Sequence, residues 1–199
     1  MKKTYFQSIF NTCLILFDTA LFCGACLLLL SFGMYSLQNI VYLAFLYQLL
    51  NTLHTFCLVV FFIATASSTV LFAHEFQLRR EYDNLTNILK SIQQTLSIRK
   101  FLKQSEHSET VTTIEQAKIT HYNPINKHFN RTIRKTIVDI REAKVTLLIH
   151  IPQTQQATKI LKEMEMLISE EIANRNPDYY FSRPERKGKW LYFTGTKRS

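Results

Sequence analysis

The chain has 199 residues, 47% of them hydrophobic, with 24 Lys and Arg against 15 Asp and Glu for a net charge of +9. Its mean hydropathy of −0.03 hides two unlike halves. Of the charged residues only Lys2, Lys3 and Asp18 precede Glu75, which leaves 22 basic and 14 acidic residues from there onward. This reads as a membrane segment followed by a soluble, basic one. All four cysteines lie in the apolar part, which excludes a disulfide scaffold or a Cys-based zinc site in the remainder.

The expected architecture is a membrane α-helical hairpin joined to a small α+β domain. A cleavable signal peptide would fit Lys2, Lys3 and the small residues near Ala25. The apolar run "CLILFDTALFCGACLLLLSFG" continues through that point, so the segment is read as retained. "CGAC" has redox or zinc spacing but no second pair and no βαβ context, and its cysteines read as packing residues. Phe10–Phe32 supplies one span, at about 20 apolar residues per 30 Å of hydrocarbon. The run from Ile40 to Ala73 is too long for one span and too short for two. Leu53–Ala73 is the expected second span, with "SLQNIVYLAFLYQLLN" and Tyr35, Tyr42 and Tyr47 at the outer interface. Lys2 and Lys3 precede the first span, Arg79 and Arg80 follow the second, and the loop between has no Lys or Arg, so both termini are expected in the cytoplasm of a bacterial cell.

Asp18 sits within the first span, where a charge costs on the order of 2.5–3.5 kcal/mol on insertion scales. In an antiparallel hairpin "ATASST" lies at the same depth. One expectation is that Thr65, Ser68 or Thr69 donates to Asp18, while Ala20, Gly24, Ala64 and Ser67 allow close approach. The other is that the hydroxyls bond their own helix and Asp18 snorkels or is protonated. A lone carboxylate without ionisable partners is weak support for transport.

Leu78, Tyr82, Leu85, Leu89, Ile92 and Leu96 are spaced 4-3-4-3-4 and predict that the second span continues as a cytoplasmic helix to about Lys103. It is either a self-associating stalk or a helix docked on its own domain, and His74 and Glu75 mark the lipid–water boundary. "KQSEHSETVTT" follows as a polar linker. The expected divisions are a hairpin at 1–74, a stalk at 75–104, a linker at 105–116 and a soluble domain at 117–199.

In that domain "AKITHYN" and "RTIRKTIVDI" read as strands, "REAK" as a tight turn and "KVTLLIHI" as a strand with Val145, Leu147, Ile149 and Ile151 on one face. Pro152 ends it, and Thr154 caps a helix of about twenty residues with Ala157, Ile160, Leu161, Met164, Leu167, Ile168 and Ile172 along one stripe. "DYYFS" and "KWLYFTG" return as strands around the turn-forming "RPERKG". The expected order is β-β-β-α-β-β, an antiparallel sheet with one long amphipathic helix.

No catalytic constellation is visible. "GKWLYFTGTKRS" lacks Walker A spacing, and the six histidines form neither H-x-x-x-H nor H-E-x-x-H, His121 and His128 included. Glu163, Glu165, Glu170 and Glu171 read as a solvated helix face. No enzyme, cofactor or metal is expected. The candidate contact residues are Arg183, Arg186, Lys187, Lys189, Lys197 and Arg198, interleaved with Tyr179, Tyr180, Phe181, Trp190, Tyr192 and Phe193. They suit either nucleic acid, through phosphate contact and base stacking, or a pair of strands whose cations face water or anionic lipid.

The order of parts, with "RREYDNL", "KITHYNPINKHFNR" and "KVTLLIHIPQTQQATKILKEMEMLIS", resembles the N-terminal region of FtsK/SpoIIIE-like (TcpA-like) coupling proteins of Gram-positive conjugative elements. In that family a two-span anchor and a small α+β domain precede a DNA-pumping ATPase. The Walker motifs belong to a part absent from this sequence, so no catalytic residue carries over. The resemblance implies anchoring and assembly within conjugative DNA transfer, with membrane lipid, a second copy through the stalk, a transfer-channel or coupling-ATPase partner and DNA as expected partners. The competing expectation is a regulator or exclusion protein of a mobile element, whose basic domain faces lipid.

Overall fold

The computed structural model describes residues 3–38, 40–107, 111–112, 118–119 and 122–198. It divides into two units, Met1–Glu81 and Tyr82–Ser199.

The first unit holds two helices, α1 (Tyr5–Leu37) and α2 (Ala44–Tyr82), the latter ending at the unit boundary. Both are long and apolar enough to cross a membrane. At 1.5 Å per residue, their 33 and 39 residues measure roughly 50 and 58 Å, well beyond the roughly 30 Å hydrocarbon layer. Thr4 starts α1 with a capping box: its Oγ1 accepts from the Gln7 N–H, and the Gln7 Oε1 accepts from the Thr4 N–H. A 3₁₀ turn, Val41–Leu43, leads directly into α2. The expected interfacial segment is therefore not separate, because from Ala44 it forms the first turns of α2. The helices run antiparallel. A Cβ on Gly24 would lie 3.6 Å from the Phe61 ring, and Ser31 Oγ meets His54 Nε2 at 3.2 Å. Ala20, Cys23 and Ala64 are buried.

At the other end of this unit, Arg79 Nε donates to Glu75 Oε1 at 2.7 Å, with both side chains fully buried. The Arg79 guanidinium also lies 5.0 Å from the centre of the Phe6 ring. Glu75 is thus half of a buried ion pair. His74 makes an edge contact with Tyr5.

The second unit begins where the expected continuous stalk breaks. Between Asp83 and Leu85 the chain leaves the helix, and α3 (Thr86–Leu102) starts afresh. Asp83 Oδ1 fixes the break by accepting from the N–H groups of Asn84 and Glu142 and from Asn87 Nδ2. Two short strands follow, β1 (Val111–Thr112) and β2 (Lys118–Ile119), paired antiparallel. Val111 and Thr112 of the expected polar linker thus form a strand, and its residues 108–110 and 113–116, with His121, lie outside the described residues. Next comes α4 (Pro124–Ile133), where strands were expected: only Lys118–Ile119 of "AKITHYN" is described as strand, and Arg131–Ile133 of "RTIRKTIVDI" is helical. Asn123 causes this locally. Its side chain accepts from the N–H groups of Ile125 and Asn126, and Pro124 occupies the first helical position, where a missing N–H costs nothing.

The main sheet has the order β3 (Ile137–Ile140), β4 (Lys144–His150), β7 (Trp190–Lys197), β5 (Tyr179–Phe181), with β6 (Glu185–Lys187) also paired to β7. All pairings are antiparallel. "RPERKG" is therefore not simply a turn, because it contains β6 and only Gly188 and Lys189 form the loop. Gly188 has φ +61°, as such tight hairpins require. Gly195 is needed for space: a Cβ there would lie 2.8 Å from Phe181 Cζ.

Helix α5 (Gln155–Arg175) packs on one sheet face, with Ala157, Leu161, Ile168 and Ile172 against Val145, Leu147, Ile149, Leu191 and Phe193. Leu167 departs from the expected stripe and is 52% exposed. Ile98 and Leu102 of α3 and Phe129 and Ile133 of α4 complete this core.

Helix α3 also closes an edge. An unpaired strand edge exposes rows of N–H and C=O groups. Along β3 those groups belong to Thr136, Val138 and Ile140. The Val138 N–H donates to Thr95 Oγ1 and the Ile140 N–H to Ser91 Oγ, both at 2.9 Å, while Arg99 Nε donates to the Thr136 carbonyl at 2.8 Å. Residues 91, 95 and 99 climb the helix by about 6 Å per step, close to the roughly 6.8 Å between alternate strand residues. A helix thus does the work of a neighbouring strand. Gln94 and Asn176 exchange reciprocal amide bonds at 2.9 and 3.0 Å and hold α3 to the end of α5.

Candidate functional site

Interpolating between the Phe6–Arg79 and Gly24–Phe61 contacts places Asp18 opposite Thr65–Thr69, at the expected depth. The contact itself is not made. Asp18 is exposed on α1. Thr65 Oγ1 donates to the Phe61 carbonyl at 2.8 Å, Ser68 Oγ to Thr65 at 2.9 Å and Thr69 Oγ1 to Thr65 at 2.8 Å. Each hydroxyl satisfies its hydrogen within its own helix, the cheapest partner in an apolar setting. Of the small residues expected at the contact, Ala20 and Ala64 are buried and Ser67 is exposed.

The six C-terminal cations, contiguous in sequence, do not form one patch. Lys187 and Lys189 flank Gly188 at one end of β7, while Lys197 and Arg198 lie at the other. From Trp190 to Lys197 the strand advances about 24 Å at 3.4 Å per residue. Two of the six are partly neutralised. Lys187 Nζ lies 3.0 Å from Glu185 Oε2, and this hydrogen bond raises the ammonium and lowers the carboxyl from their ordinary pKa values. Lys197 Nζ lies 3.5 Å from Glu142 Oε1. Arg183 is exposed in the segment between β5 and β6.

Arg186 has other company. It pairs with Leu191 across β6 and β7, which turns it toward the α5 side of the sheet. There it lines a cavity of about 430 Å³ together with Pro152, Thr158, Lys159 and Lys162. The floor is the first turns of α5, started by Thr154, whose Oγ1 accepts from the Ala157 N–H. Lys159 leans toward Glu163 at 3.8 Å, and both side chains are largely exposed, so the pair is weak. Strand and helix thus bring three cations together beside the first turns of α5, a surface that favours an anionic partner. The amphipathic pattern held a signal for two of them: Lys159 and Lys162 are three apart and share a helix face.

The aromatic residues are mostly internal. Tyr192 and Phe193 are buried, Phe181 lies over Gly195, and Trp190 meets His150 edge-on at 4.8 Å. The Tyr179 hydroxyl donates to the carbonyls of Arg141 and Glu142. Of the six, only Tyr180 is largely exposed, at 68%. Base stacking needs a row of open rings, and these are committed to the fold.

Among the described residues no three His, Cys, Asp or Glu side chains are placed to hold a metal ion. No protein-family model, curated protein or solved structure matches this chain.

Proposed function

We propose that this chain is a membrane-anchored, non-catalytic interaction subunit. Its two apolar helices hold a basic α+β domain at the inner face of a bacterial cell membrane, with both termini in the cytoplasm. The domain serves in assembly of a conjugative DNA-transfer or FtsK-like translocation machine, by contact with DNA phosphates and with a channel or coupling-ATPase partner. One observation carries the reading: Arg186, Lys159 and Lys162 converge on the start of α5 in a unit linked covalently to two membrane-length helices. The exposed stripe of Leu89 and Leu96, continued by the half-buried Leu85 and Ile92, supports self-association along the outer side of α3.

A second reading is favoured by the internal aromatics. A basic surface without open rings suits anionic lipid as well as a phosphate backbone, as in a membrane regulator or exclusion protein of a mobile element. The full chain in detergent micelles separates the two. Salt-dependent binding of duplex DNA, with the slope of log K against log salt reduced by about 1 for each of Lys159→Gln, Lys162→Gln and Arg186→Gln, is the expected result. Binding to anionic but not neutral vesicles, with no DNA binding, selects the second. Sedimentation of the same sample reads the subunit number, and a C-terminal reporter outside the cell sinks both.

A further inference from the structure

One carboxyl is left over on the apolar helices. Asp18 lies eight residues beyond Phe10, about 12 Å along α1 and well inside a hydrocarbon layer of roughly 30 Å. Its direction follows from the turn of the helix. At about 100° per residue, Ala20 and Cys23 are turned from it by about 200° and 140°, and both are buried. Asp18 therefore points away from the packed side of α1, and it is exposed. Among the described residues it makes no hydrogen bond or ion pair. Water satisfies such a group on an ordinary surface, whereas in hydrocarbon a carboxyl needs protein, trapped water or a donor beside it.

The chain carries a donor at the matching height. Phe6 meets Arg79, Gly24 adjoins Phe61 and Ser31 meets His54, so each advance along α1 is matched by an equal retreat along α2. Asp18 is six residues before Gly24 and Ser67 is six after Phe61, which puts the two at one depth. Ser67 is exposed as well. The hydroxyls around it are spent: Thr65, Ser68 and Thr69 donate to carbonyls of α2, and Thr19 donates to the Ile15 carbonyl. Among the described residues Ser67 makes no such bond. Asp and Ser are short side chains, so the helix backbones themselves set where the carboxyl and the hydroxyl stand. Within one hairpin the two do not meet, because Asp18 points away from the packed side.

We infer that Asp18 accepts a hydrogen bond from Ser67 of a second copy, so that α1 of one hairpin packs on α2 of the next. Copies in a closed membrane assembly are related by rotation about the membrane normal, which leaves every residue at its own depth. A contact between copies is open only to groups that are already level, as Asp18 and Ser67 are. The chemistry is complementary too. A second copy offers no cation there, since no Lys or Arg lies between Lys3 and Arg79, and two Asp18 carboxyls would set acceptor against acceptor. The inference rests on the membrane reading proposed above and names the contact through which its anchors meet.

The test uses the full chain in native membranes, in a background of Cys13→Ala, Cys23→Ala, Cys26→Ala and Cys57→Ala. Phe22→Cys in one tagged copy and Ile63→Cys in another place thiols one turn from Asp18 and from Ser67, at exposed positions that are again level. Oxidation with copper phenanthroline is expected to join the two copies. The yield should fall by about three- to twenty-fold with Asp18→Leu or Ser67→Ala, the range for single hydrogen bonds between helices in lipid. It should survive Asp18→Asn and Ser67→Thr, which keep the acceptor and the hydroxyl. No cross-link, or a yield that Asp18→Leu and Ser67→Ala leave unchanged, overturns the contact. Alkaline carbonate extraction keeps the two claims apart. A chain released from the membrane sinks the membrane reading, and a retained chain that does not cross-link sinks this contact alone.

Discussion

Two helices of this chain carry hydroxyl residues at similar spacing and use them differently. In α2, Thr65 and Thr69 turn their hydrogens to carbonyls of their own helix. In α3, Ser91 and Thr95 donate to the Asn87 and Ser91 carbonyls at 2.7 Å, with longer contacts to the Ile140 and Val138 carbonyls at 3.4 and 3.2 Å. The difference lies in the lone pairs. A hydroxyl has one hydrogen but two acceptor sites. On α3 the acceptors receive the N–H groups of Ile140 and Val138, whereas an apolar span brings no such donor. The same residue type is a passive occupant in one region and a cap for a strand edge in the other. What a hydroxyl contributes is set by whether a neighbour arrives with an unmet hydrogen.

The largest expected effect comes from removing that cap. Ser91→Ala with Thr95→Val takes away the acceptors of two buried N–H groups, at about 1–3 kcal/mol each. The soluble unit should unfold several degrees lower, at roughly 2–8 °C per kcal/mol. Hydrogen exchange at the Val138 amide should quicken, and unchanged exchange there would show that α3 does not serve the edge. A smaller contrast separates two glycines. Gly195→Ala forces a Cβ to 2.8 Å from the Phe181 ring and should cost about 1–3 kcal/mol. Gly24→Ala places its Cβ at an ordinary 3.6 Å from Phe61 and should be tolerated in a thermal melt in detergent. The smallest effect belongs to the apolar helix. Thr65→Val and Thr69→Val should each shift stability by less than about 0.5 kcal/mol, because the lost bonds were made within one helix. A large loss would revive a polar contact with Asp18.

Several features of the second unit were legible in the residues. Pro152 and Thr154 marked the passage from β4 to α5, and "REAK" marked the hairpin closed by reciprocal bonds between Arg141 and Lys144. The start of α4 is also written in the chain, as Asn-Pro. The β-branched residues that follow suggest a strand and conceal it, and the capping bonds of Asn123 prevail over that propensity. The capping box at Thr4 and Gln7 is a similar local signal, readable as T-x-x-Q. The candidate site was less legible. Arg186 was visible as a basic residue, but Lys159 and Lys162 become its neighbours only when β6 folds against β7 and α5 covers the sheet.

The sequence by itself determined the features that depend on each segment's own solvent preference. About seventy residues nearly free of charge make two long apolar helices, because a helix satisfies its backbone hydrogen bonds within its own segment. Helix α5 is set in the same way by its apolar spacing. Tertiary structure decided the choices that spacing alone misjudges. Helix α3 carries one apolar stripe through Leu85, Leu89, Ile92 and Leu96 and another through Ile88, Ile98 and Leu102. Periodicity favours the first, because Ser91 and Thr95 interrupt the second. The second is buried because it brings Ser91, Thr95 and Arg99 to a strand edge with open N–H and C=O groups, a demand that exists only once β3 has paired with β4.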